Sequence, residues 1–221
     1  MKLARPDIRH PRIVLVGSEG GDDAGLVAAL RKRGLHARWL SWDDPDTLHA
    51  DLVILRTVTR YVDRLDEFLA WTRRVPNLLN AADVIAWNAG EYHLRDLRNA
   101  RVSVRASAPG PTTALVYLGG VQSHAFTAQQ SVDADFELWD VGHAALRVAA
   151  KQAGVRADEL LYARVDVTDG ARLVGLDLVA PLLGWQLLDD TARDDAQRQF
   201  ALCVQSALDR LGLGPLSQRR P

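Results

Sequence analysis

The spacing of apolar and polar residues changes along the chain, and the changes mark out its elements. Arg12-Ile13-Val14-Leu15-Val16-Gly17 is an unbroken aliphatic run closed by glycine. A run apolar on both faces predicts a strand buried within a parallel sheet. Leu26, Val27, Ala29 and Leu30 then recur at helical spacing, with Asp22 or Asp23 placed to cap the helix and Gly34 to stop it. Leu35 to Leu40 and Asp51-Leu52-Val53-Ile54-Leu55-Arg56 predict two more strands, separated by a turn at Asp43-Asp44-Pro45-Asp46. A helix from Asp63 to Arg74 turns Leu65, Phe68, Leu69 and Thr72 inward and Asp66, Glu67 and Arg73 outward. Asn77-Leu78-Leu79-Asn80 reads as an extended link and Ala81 to Ala86 as a brief helix. Asn88-Ala89-Gly90-Glu91 has the form of a capping box opening a helix to about Asn99, with Leu94 and Leu97 inward.

Beyond Val102-Ser103-Val104, which begins a strand, the period shifts to two. Ala114 to Leu118, Gly119-Gly120 and Val121 to Thr127 predict a hairpin with a two-residue glycine turn. Tyr162 to Val167, Asp169-Gly170 and Arg172 to Leu178 predict a second, with a type I′ turn. Helices are expected over about Val141 to Ala153 and Thr191 to Leu211. The linker Ala106 to Pro111 divides the chain. The expected fold class is α/β: an open parallel α/β domain over residues 1–105, then a reduced α+β domain of antiparallel hairpins and helices over 112–212, then a flexible tail over 213–221.

Composition narrows the field. The chain has 221 residues, 48% hydrophobic and 25% charged, enough to bury a real core. Basic residues number 27 and acidic ones 28, so the basic excess of a nucleic-acid binder is absent. One cysteine, Cys203, excludes an internal disulfide framework. The N-terminus has charges with no apolar segment behind them, and no apolar run approaches the roughly 20 residues of a membrane span. The expectation is a cytoplasmic protein with neither nucleic acid nor membrane as partner.

Several segments, in order, carry a resemblance. Ser41-Trp42-Asp43-Asp44-Pro45 is followed by Asp51 to Thr57, Tyr61, Arg64-Leu65-Asp66-Glu67-Phe68-Leu69-Ala70-Trp71, Leu78-Leu79-Asn80 and Trp87-Asn88. Then come Tyr117-Leu118-Gly119-Gly120-Val121-Gln122-Ser123-His124-Ala125, and Tyr162-Ala163-Arg164-Val165-Asp166 with the strand running to Pro181. Together these resemble the ATP-grasp proteins of the glutathione-synthetase-like, cycloserine-ligase-like group. The resemblance implies a pre-ATP-grasp α/β domain, two lobes that sandwich ATP, and ATP-dependent joining of a carboxylate to an amine. It also implies that Asp166 and Asp177 lie on the metal-binding hairpin.

The sequence departs from that pattern at several points. Trp87-Asn88-Ala89-Gly90-Glu91 places an acid where the group has a lysine. Thr57-Val58-Thr59-Arg60-Tyr61 lacks an aromatic and an acid of the usual motif. The Glu-x-Glu strand is replaced by Gly175-Leu176-Asp177, and a later acidic position holds Ala180. Only Arg105 to Ala114 fill the place of the central nucleotide lobe, about the length of one hairpin of mean strands.

The leading reading is a non-catalytic, ATP-grasp-derived binding or accessory protein. Its ligand-binding set is Arg56, Tyr61 and Arg164, and Asp166 and Asp177 form a residual magnesium site. Arg56 closes a parallel strand, where open α/β sheets bind ligands, so a small carboxylate or anion suits it. No cofactor is expected, except Mg and ATP if nucleotide binding survives. A protein partner or a second copy would cover the face left by the missing lobe, a face for which Trp185 is a candidate lining residue. The alternatives are an ATP-dependent carboxylate–amine ligase and a Rossmann-like dinucleotide binder. The last rests on Gly17-Ser18-Glu19-Gly20-Gly21 and Asp43, whose spacing misses the fingerprint. None of the six histidines has metal-motif spacing. Ser123 and His124, adjacent on a strand, are expected on opposite faces, which excludes a nucleophile–base pair. Cys203 sits at core spacing with Phe200, Val204, Ala207, Leu208 and Leu211.

Overall fold

A computed structural model describes residues 10–58, 60–90, 92–105 and 110–214. The aliphatic runs of the first half form β1 (Ile13–Val16), β2 (Ala37–Leu40) and β3 (Leu52–Leu55). The link at Leu78–Leu79 joins them as a fourth strand, β4. All are parallel, in the order β2-β1-β3-β4. β1 and β3 are central and wholly buried, which accounts for their apolar residues on both faces. Ile13, Leu15, Leu52 and Ile54 look one way, with α1 (Leu26–Lys32) over them. Val14, Val16, Val53 and Leu55 look the other way, against α2 (Leu65–Thr72) and α3 (Ala82–Ala89). The inner face of α2 carries Trp71 beside Phe68, a residue the expected helix face leaves out.

Two caps differ from expectation. Gly25 precedes α1, with φ 83, and neither Asp22 nor Asp23 caps that helix. Asn88 lies inside α3 rather than opening the next helix, α4 (His93–Asn99), and its side chain reaches another element altogether. Glu91 of the expected box falls outside the described residues.

The second half forms β5 (Thr112–Leu118), β6 (Val121–Phe126), β7 (Ser131–Val132), β8 (Tyr162–Thr168) and β9 (Arg172–Asp177). They make an antiparallel sheet in the order β7-β6-β5-β8-β9. The glycine hairpin is as expected. The second hairpin is not a two-residue turn: Thr168 pairs with Arg172 across three residues, and Ala171 holds the left-handed position, with φ 51. Helix α5 (Phe136–Gln152) covers the face bearing Leu115, Tyr117, Ala163, Val165 and Val167.

The final helix, α6 (Asp190–Arg210), ties the halves together. Its Phe200, Ala201, Val204 and Leu208 share one apolar cluster with Ile13, Leu15 and Ile54 of the first sheet. Val116, Leu118 and Tyr162 of the second sheet belong to the same cluster. Leu213, expected in the tail, also packs on this cluster and donates its N–H to the Leu208 carbonyl. Residues 215–221 and most of the expected linker, 106–109, lie outside the described residues. Among the described residues no helix is long and apolar enough to cross a membrane.

Candidate functional site

The five residues singled out from the sequence fall in two places. Arg56 follows β3 directly and is driven into the seam between the sheets. Its Nε donates to Asp23 Oδ1 at 2.8 Å and its Nη2 to the Pro181 carbonyl at 3.2 Å. The two side chains are 1% and 4% exposed. Thr57 holds the other Asp23 oxygen at 2.8 Å. The rings of Tyr162 and Trp185 lie 5.3 and 5.5 Å from the guanidinium carbon, so aromatic faces take up part of its charge. Arg56 Nη1 and Trp185 Nε1 are buried with no acceptor among the described residues. The strand-end position expected to offer Arg56 to a ligand is thus sealed by Asp23 and two aromatic rings.

Tyr61, Arg164, Asp166 and Asp177 converge elsewhere, on the face of the second sheet opposite α5. Residues of β8 alternate, so Tyr162, Arg164 and Asp166 share that face. Arg164 pairs in register with Asp177, and Asp166 with Gly175. The two acids are consequently diagonal neighbours with the arginine between them. Arg164 Nε donates to Asp166 Oδ1 at 2.9 Å, and both side chains are 26% exposed. Asp177 Oδ1 accepts from the backbone of Val179 at 2.9 Å and of Ala180 at 3.2 Å. One oxygen of each carboxylate is therefore committed, and the other takes no hydrogen bond from a described residue. Gly175 matters here: a Cβ on it would stand 3.4 Å from Asp166 Oδ2.

Burial pushes the Asp166 carboxyl above its ordinary value; Arg164 opposes this and Asp177 adds to it. The Tyr61 phenol is pushed up by burial and then by the charge of Asp177, which brings the loop after β3 to the same site. Phe126 lies under Arg164, 5.2 Å from its guanidinium carbon. Leu182, 62% exposed, belongs to the loop that follows β9.

A small crevice of about 140 Å³ opens at the ends of β1, β2 and β3, with the hydroxyls of Ser18, Ser41 and Thr57 on its walls. Gly17 is required there, because its φ is +135 and a Cβ would strike the Thr57 backbone. Among the described residues no group of three or more His, Cys, Asp or Glu is placed to hold a metal by itself. Two carboxylates can still serve magnesium, which takes one or two carboxylates and completes its octahedron with waters and phosphate oxygens. The uncommitted oxygens of Asp166 and Asp177 fit that donor set.

Four residues support the site through partners that the local sequence does not indicate. Asp22 accepts the N–H groups of Leu183, Gly184 and Gln186 at 2.6, 3.0 and 3.3 Å, fixing the loop after β9. Asn80 donates to the carbonyls of Tyr162 and Leu178 and accepts from Leu161 N–H. Asn88 does the same between Leu176 and Leu178. The Tyr162 hydroxyl reaches the Leu55 carbonyl at 2.7 Å and the Val179 carbonyl at 3.0 Å. A polar residue inside an apolar helix face was the available hint for Asn88; the others depend on partners far along the chain.

One expectation is reversed. In the β5–β6 ladder Val116 pairs with His124 and Tyr117 with Gln122, so Ser123 is the extra residue of a bulge. A bulge breaks the alternation, and Ser123 Oγ stands 3.0 Å from His124 Nδ1.

A parallel α/β layer followed by an antiparallel sheet is a fold that this chain shares with solved ATP-grasp structures. Residues 10–80 match the family described as the D-cycloserine synthetase DcsG N-terminal domain. The fold is similar to the crystal structure of D-cycloserine synthetase DcsG, with a TM-score of 0.71, 19% identity, and coverage of 90% of this chain and 99% of that one. It is similar to the ATP-grasp ligase PsnB complexed with precursor peptide PsnA2 and AMPPNP (TM-score 0.55, 13% identity, 90% and 99% covered). It is also similar to D-alanine–D-alanine ligase from Bacillus anthracis complexed with ATP (TM-score 0.57, 12% identity, 90% and 98% covered). No curated protein matches by sequence. The chain shares its fold with these ATP-grasp ligases over 90% of its length.

Proposed function

We propose that this chain is a binding or accessory protein derived from an ATP-grasp ligase and lacking ligation chemistry of its own. One observation carries the reading. Val104 already pairs with Leu173 of β9, and β5 starts at Thr112. Among the described residues no strand or helix lies between them to form a lobe over Arg164, Asp166 and Asp177. A residue range of 1–105 for the α/β lobe and 112–212 for the reduced lobe follows from that junction. Transfer chemistry needs donors on both sides of the phosphates and exclusion of water, and a one-sided face provides neither.

The site residues then have binding roles. Arg164 is the cation for a small carboxylate or other anion, and Tyr61 is a hydroxyl donor beside it. Arg56 is a positioning residue, which fixes the loop after β9 through the Pro181 carbonyl. The open face suits a protein or peptide partner or a second copy; PsnB in its complex with precursor peptide PsnA2 gives the fold-level precedent for a peptide.

A second reading, an ATP-dependent carboxylate–amine ligase, is favoured by the convergence of Asp166 and Asp177, each with one uncommitted oxygen. Asp166 and Asp177 would hold magnesium, which neutralises phosphate charge when bound. Arg164 would then orient the anion, and Tyr61 would hold its proton beside Asp177.

Calorimetric titration of the full chain with MgATP separates the two. The accessory reading predicts no binding up to millimolar nucleotide. Micromolar binding that Asp166→Asn abolishes would sink it in favour of the ligase.

A further inference from the structure

The bulge at Ser123 brings together a pair of side chains that the reading of Arg164, Asp166 and Asp177 does not use. His124 Nε2 lies 2.6 Å from the Leu183 carbonyl oxygen, and that oxygen can only accept. Nε2 therefore carries the proton. In the neutral ring Nδ1 is then an acceptor, and the only hydrogen available to the 3.0 Å contact is the Ser123 hydroxyl. Leu183 is itself held through its N–H by Asp22 at 2.6 Å, so the imidazole is oriented by a fixed group. A hydroxyl, a base and an orienting acceptor stand in series, which is the arrangement that activates a serine.

The pair opens into a groove of about 590 Å³ between β6 and α6. Ala196 and Leu202 give it apolar walls. Its two charges, Asp195 and Arg198, neutralise each other across 2.8 Å, so the groove favours an uncharged ligand. Gln199 on the same wall carries amide N–H groups that can donate to a carbonyl oxygen. We propose that Ser123 and His124 are a nucleophile and its general base, and that this groove hydrolyses small uncharged esters.

In acylation the Ser123 proton passes to His124 Nδ1 as Oγ bonds to the ester carbonyl carbon. The bond from that carbon to the alcohol oxygen breaks, and the leaving oxygen takes the proton from Nδ1. Water then gives a proton to Nδ1 and its oxygen to the acyl carbon. Oγ leaves and recovers the proton, so one ester and one water become one acid and one alcohol. Burial pushes the His124 pKa down, against the Leu183 carbonyl and the charge of Asp22, which keeps Nδ1 free to accept.

The test uses the full chain and a fluorophosphonate probe, which phosphonylates activated serines with loss of fluoride. One adduct per chain, mapped to Ser123 and absent from Ser123→Ala, is expected. His124→Gln should slow labelling by about 100-fold or more, the usual contribution of a positioned base. His124→Ala should recover part of the rate with added imidazole, which guards against a variant that merely misfolds. A wild-type protein unlabelled at Ser123 would overturn the proposal, as would His124→Gln labelled at the wild-type rate.

Discussion

Two arginine–aspartate pairs of the same chemistry meet opposite fates in this molecule. Arg56 and Asp23 come from separate loops of the first sheet and are closed in by Tyr162 and Trp185. Arg164 and Asp166 are two residues apart on β8 and remain a quarter open to solvent. A sealed pair cannot exchange its partner for a ligand without unfolding the seam, and each of its ions is costly to leave alone. An open pair is worth little to stability and can give up its partner to an incoming anion or cation. Burial, more than residue type, separates the pin from the site.

The comparison can be broken at four points. Arg56→Met leaves Asp23 buried without its cation and should cost about 3–5 kcal/mol, read from denaturant midpoints. A loss below about 1 kcal/mol would mean that the seam does not depend on the pair. Adding Asp23→Asn to that variant should recover part of the loss. Tyr162→Phe removes the hydroxyl from the Leu55 and Val179 carbonyls and should cost about 1–3 kcal/mol in the same assay. At the open pair, Arg164→Met should cost about 1 kcal/mol or less. A cost equal to that of Arg56→Met would erase the distinction.

The smallest effect is a slope. The Asp166 carboxyl is raised in the folded state, so the folded protein holds a proton that the unfolded chain has already released. Stability contributed by this group falls as pH rises through the interval just above the ordinary carboxylate value. Asp166→Asn should remove that part of the slope in urea titrations run at stepped pH. An unchanged slope would show that burial does not shift the group.

What could be read from the sequence divides along the same line. The four aliphatic or alternating runs that became β1, β3, β5 and β8 declare themselves within a few residues, because their burial depends on local period. So does the Gly119-Gly120 turn. Asp23 was legible only as a cap, since its partner Arg56 lies 33 residues away. Asn88 offered the same false cap, whereas its real partners, Leu176 and Leu178, lie 88 and 90 residues on. Alternation failed at Ser123 because a bulge is a property of two paired strands and only one of them is read at a time. That Asp166 and Asp177 share a hairpin was implied by the resemblance, but the register that sets Asp177 opposite Arg164 was not legible, because it depends on a three-residue turn and a bulge. Nor was the exclusion of Arg56 from that group, because it depends on where two sheets meet.

The placement of α6 sets a timetable. Ile13 and Leu15 belong to β1, yet the side chains that cover them include Phe200, Ala201 and Val204 of α6, far along the chain. Until α6 is made, α1 covers only part of that side of the first sheet, and the apolar surface left over is open to the wrong neighbours. Contacts spanning nearly the whole chain also slow the search for the native state. β1 is thus made long before it is finished, and synthesis that stops before residue 200 leaves behind a sheet with one side only partly covered.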